Sequence, residues 1–178
     1  MLLKNNVLRL FLERPTKEFH LREIAAKAGV STTAATRTTK ELASEGIINA
    51  GKRGIYKIFS ADRESESYRQ LKLYFTMSRI LESGLLDFLE EFSMHPETII
   101  LFGSSAKGLD TEKSDIDIFI LSPVSQETDL ERFEKILGKS VQILVMSRKE
   151  FESAKKKNPE IINNIANGIL LRGYLKVI

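Results

Sequence analysis

The first thirty residues contain two patterns of apolar positions at helical spacing. The first pattern comprises Leu3, Val7, Leu8, Phe11 and Leu12. Pro15 ends it, because proline cannot continue a helix. An extended piece at residues 19–21 leads into the second pattern, which Gly29 closes. We therefore predict two short helices, one before Pro15 and one before Gly29.

A third helix and a β-hairpin are predicted next. Ser31 is a residue type favoured at the N-cap, and Gly46 ends the helix that follows. The side chains directed inward by its spacing are Ala34, Ala35, Leu42 and Ala43. Residues 47–50 and 55–59 predict two strands joined by a loop at residues 51–54. The order of three helices and a hairpin predicts a winged helix.

A longer helical pattern follows the polar stretch at residues 61–66 and runs from Ser67 to about Phe92. Its apolar positions are Tyr68, Leu71, Tyr74, Phe75, Met77, Ile80, Leu81, Leu85, Leu86, Phe88, Leu89 and Phe92. Ser83 and Gly84 either kink this helix or split it in two. The apolar surface exceeds what one neighbouring domain needs. It indicates either a homodimer contact or packing against the second domain alone.

The remaining chain alternates short strands with helices. The predicted strands are residues 98–102, 115–121, 141–146 and 168–171, and the predicted helices are 129–137, 148–156 and 159–166. The inward positions of the first of these helices are Leu130, Phe133, Ile136 and Leu137. The fold class expected is α/β (α+β). Its parts are a winged helix at residues 1–62, a helical connector at 63–94 and a mixed-sheet domain at 95–178.

Composition changes this picture mainly through the distribution of charge. No apolar stretch is long enough to span a membrane, no signal-peptide pattern is present and there is no cysteine, so we expect a cytoplasmic protein. Residues 1–60 carry 11 Lys and Arg against 5 Asp and Glu, whereas the rest carries 16 against 19. This asymmetry favours a polyanionic partner for residues 1–60, although a solvated lysine-rich face produces the same count.

The segment FHLREIAAKAGVSTTAATRTTKELASEGIINAGKRGIYKIF closely resembles the winged helix-turn-helix of archaeal and bacterial regulators. The resemblance covers about a third of the chain and implies DNA binding through residues 1–60. The tight turn at residues 29–31 lets the third helix project from the second and enter a major groove. The alternative is a winged helix for protein interaction, whose charges are merely solvated.

The candidates for DNA contact are polar residues of the third helix and the wing tip. They are Thr32, Thr33, Thr36, Arg37, Lys40, Lys52 and Arg53. Arg37 is the best candidate for a base edge, since a guanidinium can bond two acceptors of guanine. The threonines and Lys40 suit phosphate contacts. The two wing residues are expected to meet the DNA backbone or the adjacent minor groove.

A glycine–serine turn and a pair of aspartates are the candidate chemistry of the last part. Gly103 and Ser104 directly follow a predicted strand, and Asp115 and Asp117 open the next one after ten intervening residues. Strand alternation places both carboxylates on one face, where they repel each other unless a cation lies between them. Backbone N–H groups and a hydroxyl at the turn suit phosphate oxygens, and two carboxylates suit Mg²⁺ or Mn²⁺. Lys107 either contacts a phosphate or is solvated.

The segment LFGSSAKGLDTEKSDIDIFIL resembles the signature of the polymerase-β-like nucleotidyltransferases, specifically the minimal nucleotidyltransferase branch. The resemblance covers roughly residues 95–178. It implies binding of a nucleoside triphosphate such as ATP through Gly103, Ser104 and Lys107. It also implies a catalytic metal on Asp115 and Asp117, and transfer of a nucleotide, adenylate in particular, to a hydroxyl. Members of the branch often act as antitoxins that modify a HEPN-type toxin, which implies such a partner and autoregulation of transcription.

One position departs from the family pattern. The family usually has a third carboxylate in a Val-Asp pair on the strand after the amphipathic helix, and this chain has Val141-Gln142. Glutamine is neutral and a poor metal ligand, so activation of the acceptor is in question, and Asp110 or Glu112 is a possible substitute. Two functions therefore stay open. One is a working transferase, and the other is a regulator whose degenerate domain binds a nucleotide or a partner without turnover.

Overall fold

A computed structural model describes residues 5–124 and 128–176 and divides the chain into two units, Met1–Phe75 and Thr76–Ile178. Leu3, part of the first predicted helical pattern, lies outside the described residues. The helices are α1 Asn6–Glu13, α2 Leu21–Ala28, α3 Thr32–Ser44, α4 Glu66–Glu82, α5 Leu85–Phe92, α6 Glu131–Leu137, α7 Arg148–Lys157 and α8 Pro159–Ala166. The strands are β1 Phe19–His20, β2 Ile48–Arg53, β3 Tyr56–Ala61, β4 Thr98–Phe102, β5 Ile116–Leu121, β6 Val141–Met146 and β7 Ile169–Gly173. The presence of both helices and strands confirms a mixed α+β fold.

The helices of the first unit begin and end at the residues whose chemistry predicts them. The Asn5 side chain accepts hydrogen bonds from the amides of Val7 and Leu8 at the start of α1. Gly29 ends α2 in the left-handed conformation, with φ +67°, and the Ser31 hydroxyl caps α3 by accepting from the Ala34 amide. The predicted end of α2 at Gly29 and start of α3 after Ser31 are therefore confirmed, whereas the Asn5 cap was not predicted from the sequence.

The three helices enclose one hydrophobic core with a three-stranded sheet. The fully buried side chains at its centre include Leu8, Phe11, Leu12, Phe19, Ile24 and Ala35. The sheet has the order β1-β3-β2, with both pairs antiparallel. The Tyr68 hydroxyl and the buried Lys72 ammonium, both on α4, donate to the carbonyls of Phe11 and Leu12. These bonds occupy carbonyls at the end of α1 that lack partners within the helix.

The hairpin differs from its prediction. Residues 51–53 belong to β2, and only Gly54 and Ile55 form the turn, with Gly54 at φ +61°. A two-residue turn with glycine at the first position suits the twist of antiparallel strands better than the predicted four-residue loop. The consequence is a different register, in which Arg53 pairs with Tyr56 and Lys52 pairs with Lys57.

The long helical pattern after residue 66 is split in two. α4 ends at Glu82 and α5 starts at Leu85, with Gly84 at φ +75° between them. Of the two predicted outcomes, the split is confirmed. α4 leaves Tyr74 and Leu81 exposed, whereas α5 buries its leucines.

The second unit is built on a mixed four-stranded sheet in the order β6-β5-β4-β7. β5 pairs in parallel with β6, and β4 pairs antiparallel with both β5 and β7. Side chains alternate between two cores: Ile116, Ile118 and Ile120 pack in a cluster with residues of α5 and α6, whereas Phe119 and Leu121 pack with residues of α7 and α8. Helices therefore cover both faces of this sheet.

The amphipathic helix of this unit is shorter than predicted. α6 begins at Glu131, after the N-cap Leu130, whereas the prediction began it at residue 129. Phe133 and Leu137 are buried, but Ile136, predicted to point inward, is 53% exposed. A helix of seven residues has room for only one narrow buried stripe, and Ile136 falls outside it.

No helix formed by the described residues is both long enough and apolar enough to cross a membrane.

Candidate functional site

The candidate site lies where β4 ends beside the start of β5. Phe102, the last residue of β4, pairs with Asp117, and Gly103 follows at φ +71°. A Cβ built on Gly103 would come within 2.3 Å of the Asp117 Oδ2 atom. Only glycine permits both this backbone conformation and this close approach. The Asp117 carboxylate is therefore held directly against the main chain of the glycine–serine turn.

Asp115 and Asp117 carry negative charge that no residue in the described part of the chain neutralises. Asp115 is exposed and Asp117 is half-buried. Among the described residues, neither carboxylate accepts a hydrogen bond or forms an ion pair. Burial raises the pKa of Asp117 above its ordinary value, and the charge of Asp115 raises it further. A cation at this position would relieve both effects.

The turn after β4 presents polar groups for which residues 5–124 and 128–176 provide no partner in a loop, turn or capping hydrogen bond. Ser104 precedes a single 3₁₀ turn, Ser105–Lys107, and its hydroxyl makes no capping bond. Among the loop and turn hydrogen bonds of the described residues, none is donated by the amide of Gly103 or Ser104. The carbonyl of Ser104 is occupied, because it accepts from the amides of Lys107 and Leu109. Two N–H groups and one hydroxyl beside two carboxylates suit a phosphate chain that binds together with a cation.

Ser105 is a residue of this site that the sequence reasoning missed. Its side chain is fully buried, and its hydroxyl donates to the carbonyl of Asp115 over 3.2 Å. It thus ties the glycine–serine turn to the start of β5. The sequence shows only two consecutive serines, and no local signal indicates that Ser105 is buried whereas Ser104 is half-buried.

Gln142 occupies the position beside Asp117 on the neighbouring strand. The two residues are direct partners in the parallel pair of β5 and β6, so their side chains project from the same face of the sheet. Gln142 is exposed. The Gln142 side-chain amide therefore lies on the same face as the Asp117 carboxylate, at the position where the resemblance implies a third carboxylate.

The two acids considered as substitutes for that carboxylate lie in the loop before β5. Asp110 is buried and forms an ion pair with Lys139, whose ammonium also donates to the Thr111 carbonyl over 2.7 Å. Its charge is thus used inside the fold, and Lys139 is a second residue that the sequence reasoning missed. Glu112 lines an open cavity of about 470 Å³ together with Asp115, but the described residues contain no group of three or more acids, histidines or cysteines able to hold a metal.

The residues present nevertheless fit a divalent cation shared with a ligand. Asp115 and Asp117 supply hard oxygen donors, and the space against Gly103 would be filled by any Cβ. Magnesium typically takes one or two carboxylates from the protein and completes its shell with water and phosphate oxygens. Two carboxylates are therefore sufficient for a nucleotide-bound Mg²⁺ or Mn²⁺. Lys107 is exposed at the end of the turn, without a carboxylate partner among the described residues.

The residues predicted to contact DNA lie on the exposed surface of the first unit, and three of them, Thr36, Lys40 and Lys52, line one cavity. All seven predicted DNA contacts are exposed: Thr32, Thr33, Thr36, Arg37, Lys40, Lys52 and Arg53. Arg37 lies 3.8 Å from Glu41 and Arg53 lies 2.9 Å from Glu18, in ion pairs that are open to solvent. Exposed pairs of this kind are weak, so both guanidinium groups are free to exchange partners.

Lys57 belongs to the same surface and was not singled out from the sequence. The two-residue turn places it directly opposite Lys52. The predicted loop at residues 51–54 contains Lys52, so this prediction did not pair the two lysines.

A family model for the nucleotidyltransferase domain matches residues 82–171. The match covers half of the 178-residue chain and includes the glycine–serine turn, both aspartates and Gln142. Comparison with curated proteins finds no match. Comparison with solved structures finds none either.

Proposed function

The chain belongs to the nucleotidyltransferase domain family, and on that premise we propose that its second unit binds a nucleoside triphosphate with Mg²⁺ or Mn²⁺ and transfers the nucleotide to a hydroxyl. The nucleotide proposed is ATP and the group transferred is adenylate. The proposed site consists of Gly103, Ser104, Lys107, Asp115 and Asp117. Members of this family generally use divalent metals such as Mg²⁺.

The observation that carries this proposal is the contact between Gly103 and Asp117. A half-buried carboxylate with no partner in the described chain, held against a glycine main chain, destabilises the fold unless a ligand uses it. Such an arrangement is typical of a functional site.

Each residue has a distinct proposed role. Asp115 and Asp117 hold the cation, which when bound neutralises charge on the triphosphate during nucleotide transfer. The amides of Gly103 and Ser104, with the Ser104 hydroxyl, bind phosphate oxygens and orient the chain of phosphates. Lys107 adds a positive charge near the leaving pyrophosphate. Ser105 is a positioning residue, because it acts on Asp115 through the backbone.

We propose further that the first unit is a winged helix-turn-helix domain that binds DNA. Three helices followed by a hairpin, a tight turn between α2 and α3, and exposed cations on α3 and the hairpin support this proposal. Arg37 is proposed to read a base, and the other polar residues of this surface to contact phosphates. The domain limits proposed are residues 1–62, a connector at 63–94 and the transferase-like domain at 95–178.

Together these proposals describe an antitoxin-like autoregulator of transcription. Its acceptor would be a partner protein, a HEPN-type toxin in the first instance, and a homodimer would present two DNA-binding units to a two-fold site. The exposed Tyr74 and Leu81 on α4 support a homodimer contact.

Gln142 favours a second candidate function, a regulator that binds nucleotide without turnover. It stands beside Asp117 and cannot supply the negative charge of a third carboxylate. In this case the second unit would sense a nucleotide or hold a partner, and the first would still bind DNA.

Transfer of label from α-labelled ATP, with Mg²⁺ or Mn²⁺ and the proteins encoded beside this one, distinguishes the two functions. The variants are Asp117→Asn and Gln142→Asp, with Gln70→Asp as a control for a new acid at an exposed glutamine elsewhere. Transfer by the native chain that Asp117→Asn abolishes would establish a working transferase.

Two other outcomes are informative. Transfer gained only by Gln142→Asp would establish the regulator with a degenerate site. Absence of Mg-dependent ATP binding in the native chain, measured by calorimetry, would contradict both functions of the second unit.

A further inference from the structure

A cavity of about 440 Å³ lies in the first unit between α3 and one face of the hairpin. Its apolar wall is formed by Leu21, Ala43, Ala50 and Phe59. Ala50 and Phe59 are direct partners across β2 and β3, so they face the cavity from the same side of the hairpin. The volume is within the range of small-molecule sites, roughly 300–1,000 Å³.

Three lysines line the same cavity. Lys40 comes from α3, whereas Lys52 and Lys57 are direct partners on the hairpin, two pairs further toward the turn than Ala50 and Phe59 and on the same face. Like charges directly opposite each other destabilise a strand pair. No acid is among the residues that line the cavity, and among the described residues none of the three lysines forms an ion pair.

We propose that this cavity binds a small organic anion with an apolar ring or chain, such as an aromatic carboxylate, sulfonate or phosphate. The anionic group would lie between the three ammonium groups and relieve the repulsion between Lys52 and Lys57. The apolar body would cover Leu21, Ala43 and Phe59. Both halves of the cavity are then matched by one molecule.

A DNA phosphate accounts for only half of this arrangement. The lysines would accept a phosphodiester, but a phosphodiester has no apolar surface to place against the leucine, alanines and phenylalanine. The concave apolar wall therefore favours a small ligand over the DNA backbone as the occupant.

Occupancy would have a regulatory consequence. Thr36, Lys40 and Lys52 line the cavity and are also proposed to contact DNA. A bound anion would neutralise Lys40 and Lys52 and compete with DNA for these two lysines. This consequence rests on the proposed DNA binding, whereas the ligand site itself does not.

The first test uses anilinonaphthalene sulfonate, a fluorescent aromatic anion, titrated into the full chain. Ala50→Phe places a ring in the cavity from an exposed strand position opposite Phe59, where a second aromatic residue is favourable for the sheet. We expect saturable binding of one probe per chain, weakened about tenfold or more by this variant, because the apolar contact is excluded. The matched control is Asn49→Phe, on the adjacent exposed residue and the opposite face of β2, which should bind like the native chain.

The second test isolates the charge. The double variant Lys52→Gln with Lys57→Gln should weaken the anionic probe about threefold to tenfold, as expected for exposed ionic contacts. It should leave unchanged the binding of N-phenyl-naphthylamine, the neutral analogue of the probe. Lys27→Gln, an exposed lysine of α2 outside the cavity, is the control.

Three results would overturn the site: no saturable binding of the probe, equal binding by Ala50→Phe and the native chain, or equal loss with Asn49→Phe. Competition is then measured with a duplex of the DNA upstream of the gene. If the chain binds no DNA, the proposal for DNA fails while the fluorescence titrations still decide the cavity. If it binds DNA and a saturating probe does not displace the duplex, the regulatory consequence is wrong.

Discussion

The two units of this chain each hold a group of like charges that the described residues do not neutralise, and the two groups have opposite signs. The first unit gathers Lys40, Lys52 and Lys57 around an apolar cavity, and the second places Asp115 and Asp117 beside a glycine turn. The buried Asp110 carboxylate, by contrast, is paired with Lys139. The contrast teaches that paired charges here serve the fold, whereas the two unpaired groups point to ligands of opposite charge.

The groups also differ in how firmly the fold holds them. The three lysines are exposed on long side chains, so they can separate in solution and their repulsion is small. Asp117 is short, half-buried on a strand and fixed against Gly103. We therefore expect substitutions that displace Asp117 to have large effects on ligand binding, and substitutions of the three lysines to have graded, salt-dependent effects.

The largest effect is expected from breaking a charge pair that serves the fold. Lys139→Met removes the ammonium that pairs with the buried Asp110 carboxylate and should destabilise the protein by about 3 kcal/mol. Denaturant unfolding measures this. Lys135→Met, which removes an exposed partner of Glu131, should change stability by less than about 0.5 kcal/mol. Equal effects of the two would break the distinction between paired charges inside the fold and charges at its surface.

Gly103→Ala should abolish most nucleotide binding in the second unit. The new Cβ would displace the Asp117 carboxylate, and a misplacement of that size lowers the affinity for Mg-ATP about tenfold or more. Calorimetry with the native chain as reference measures the loss. Gly138→Ala, at φ +67° with no atom near the added Cβ, isolates the backbone strain of about 1 kcal/mol. Native affinity in Gly103→Ala would contradict the assignment of this site.

The corresponding change in the first unit is the double variant Lys52→Gln with Lys57→Gln. If both lysines contact phosphates, the slope of DNA affinity against salt concentration should fall by about two. Fluorescence anisotropy at several salt concentrations measures it. The free energy of unfolding should rise by a few tenths of a kcal/mol, because the cross-strand repulsion is gone. An unchanged slope would remove the hairpin from the DNA interface.

The smallest expected effect concerns the stability of the metal-free protein when the charge of Asp117 is removed. Burial and Asp115 raise the pKa of Asp117, so its ionised form is disfavoured in the folded state and lowers stability at neutral pH. Asp117→Asn should therefore stabilise the metal-free protein by a few tenths to about 1 kcal/mol, after discounting for solvent. Thermal unfolding in EDTA measures this change. With Mg-ATP in place of EDTA, the native chain should be stabilised and the Asp117→Asn variant should not be. A lower stability in EDTA would mean that Asp117 serves the fold.

Local signals were enough for most elements. Gly29 and Ser31 end and begin helices through bonds to backbone groups within a few residues, which is why their positions were predicted from the sequence. The hairpin was harder, because both the loop at 51–54 and the turn at Gly54 satisfy the same glycine signal. The choice depends on strand twist and pairing, and it places Lys57 opposite Lys52.

The sequence by itself determined the alternation of helices and strands, the excess of positive charge in the first third, and the ten-residue spacing from Gly103-Ser104 to Asp115. These properties depend on local backbone chemistry or on composition. Only the tertiary structure decided that Gly103 lies against Asp117 and that Gln142 is the strand partner of Asp117. It also decided that Asp110 forms an ion pair with Lys139 and that three lysines line one cavity. These are contacts between segments far apart in the chain, and strand register and packing set them rather than any nearby residue.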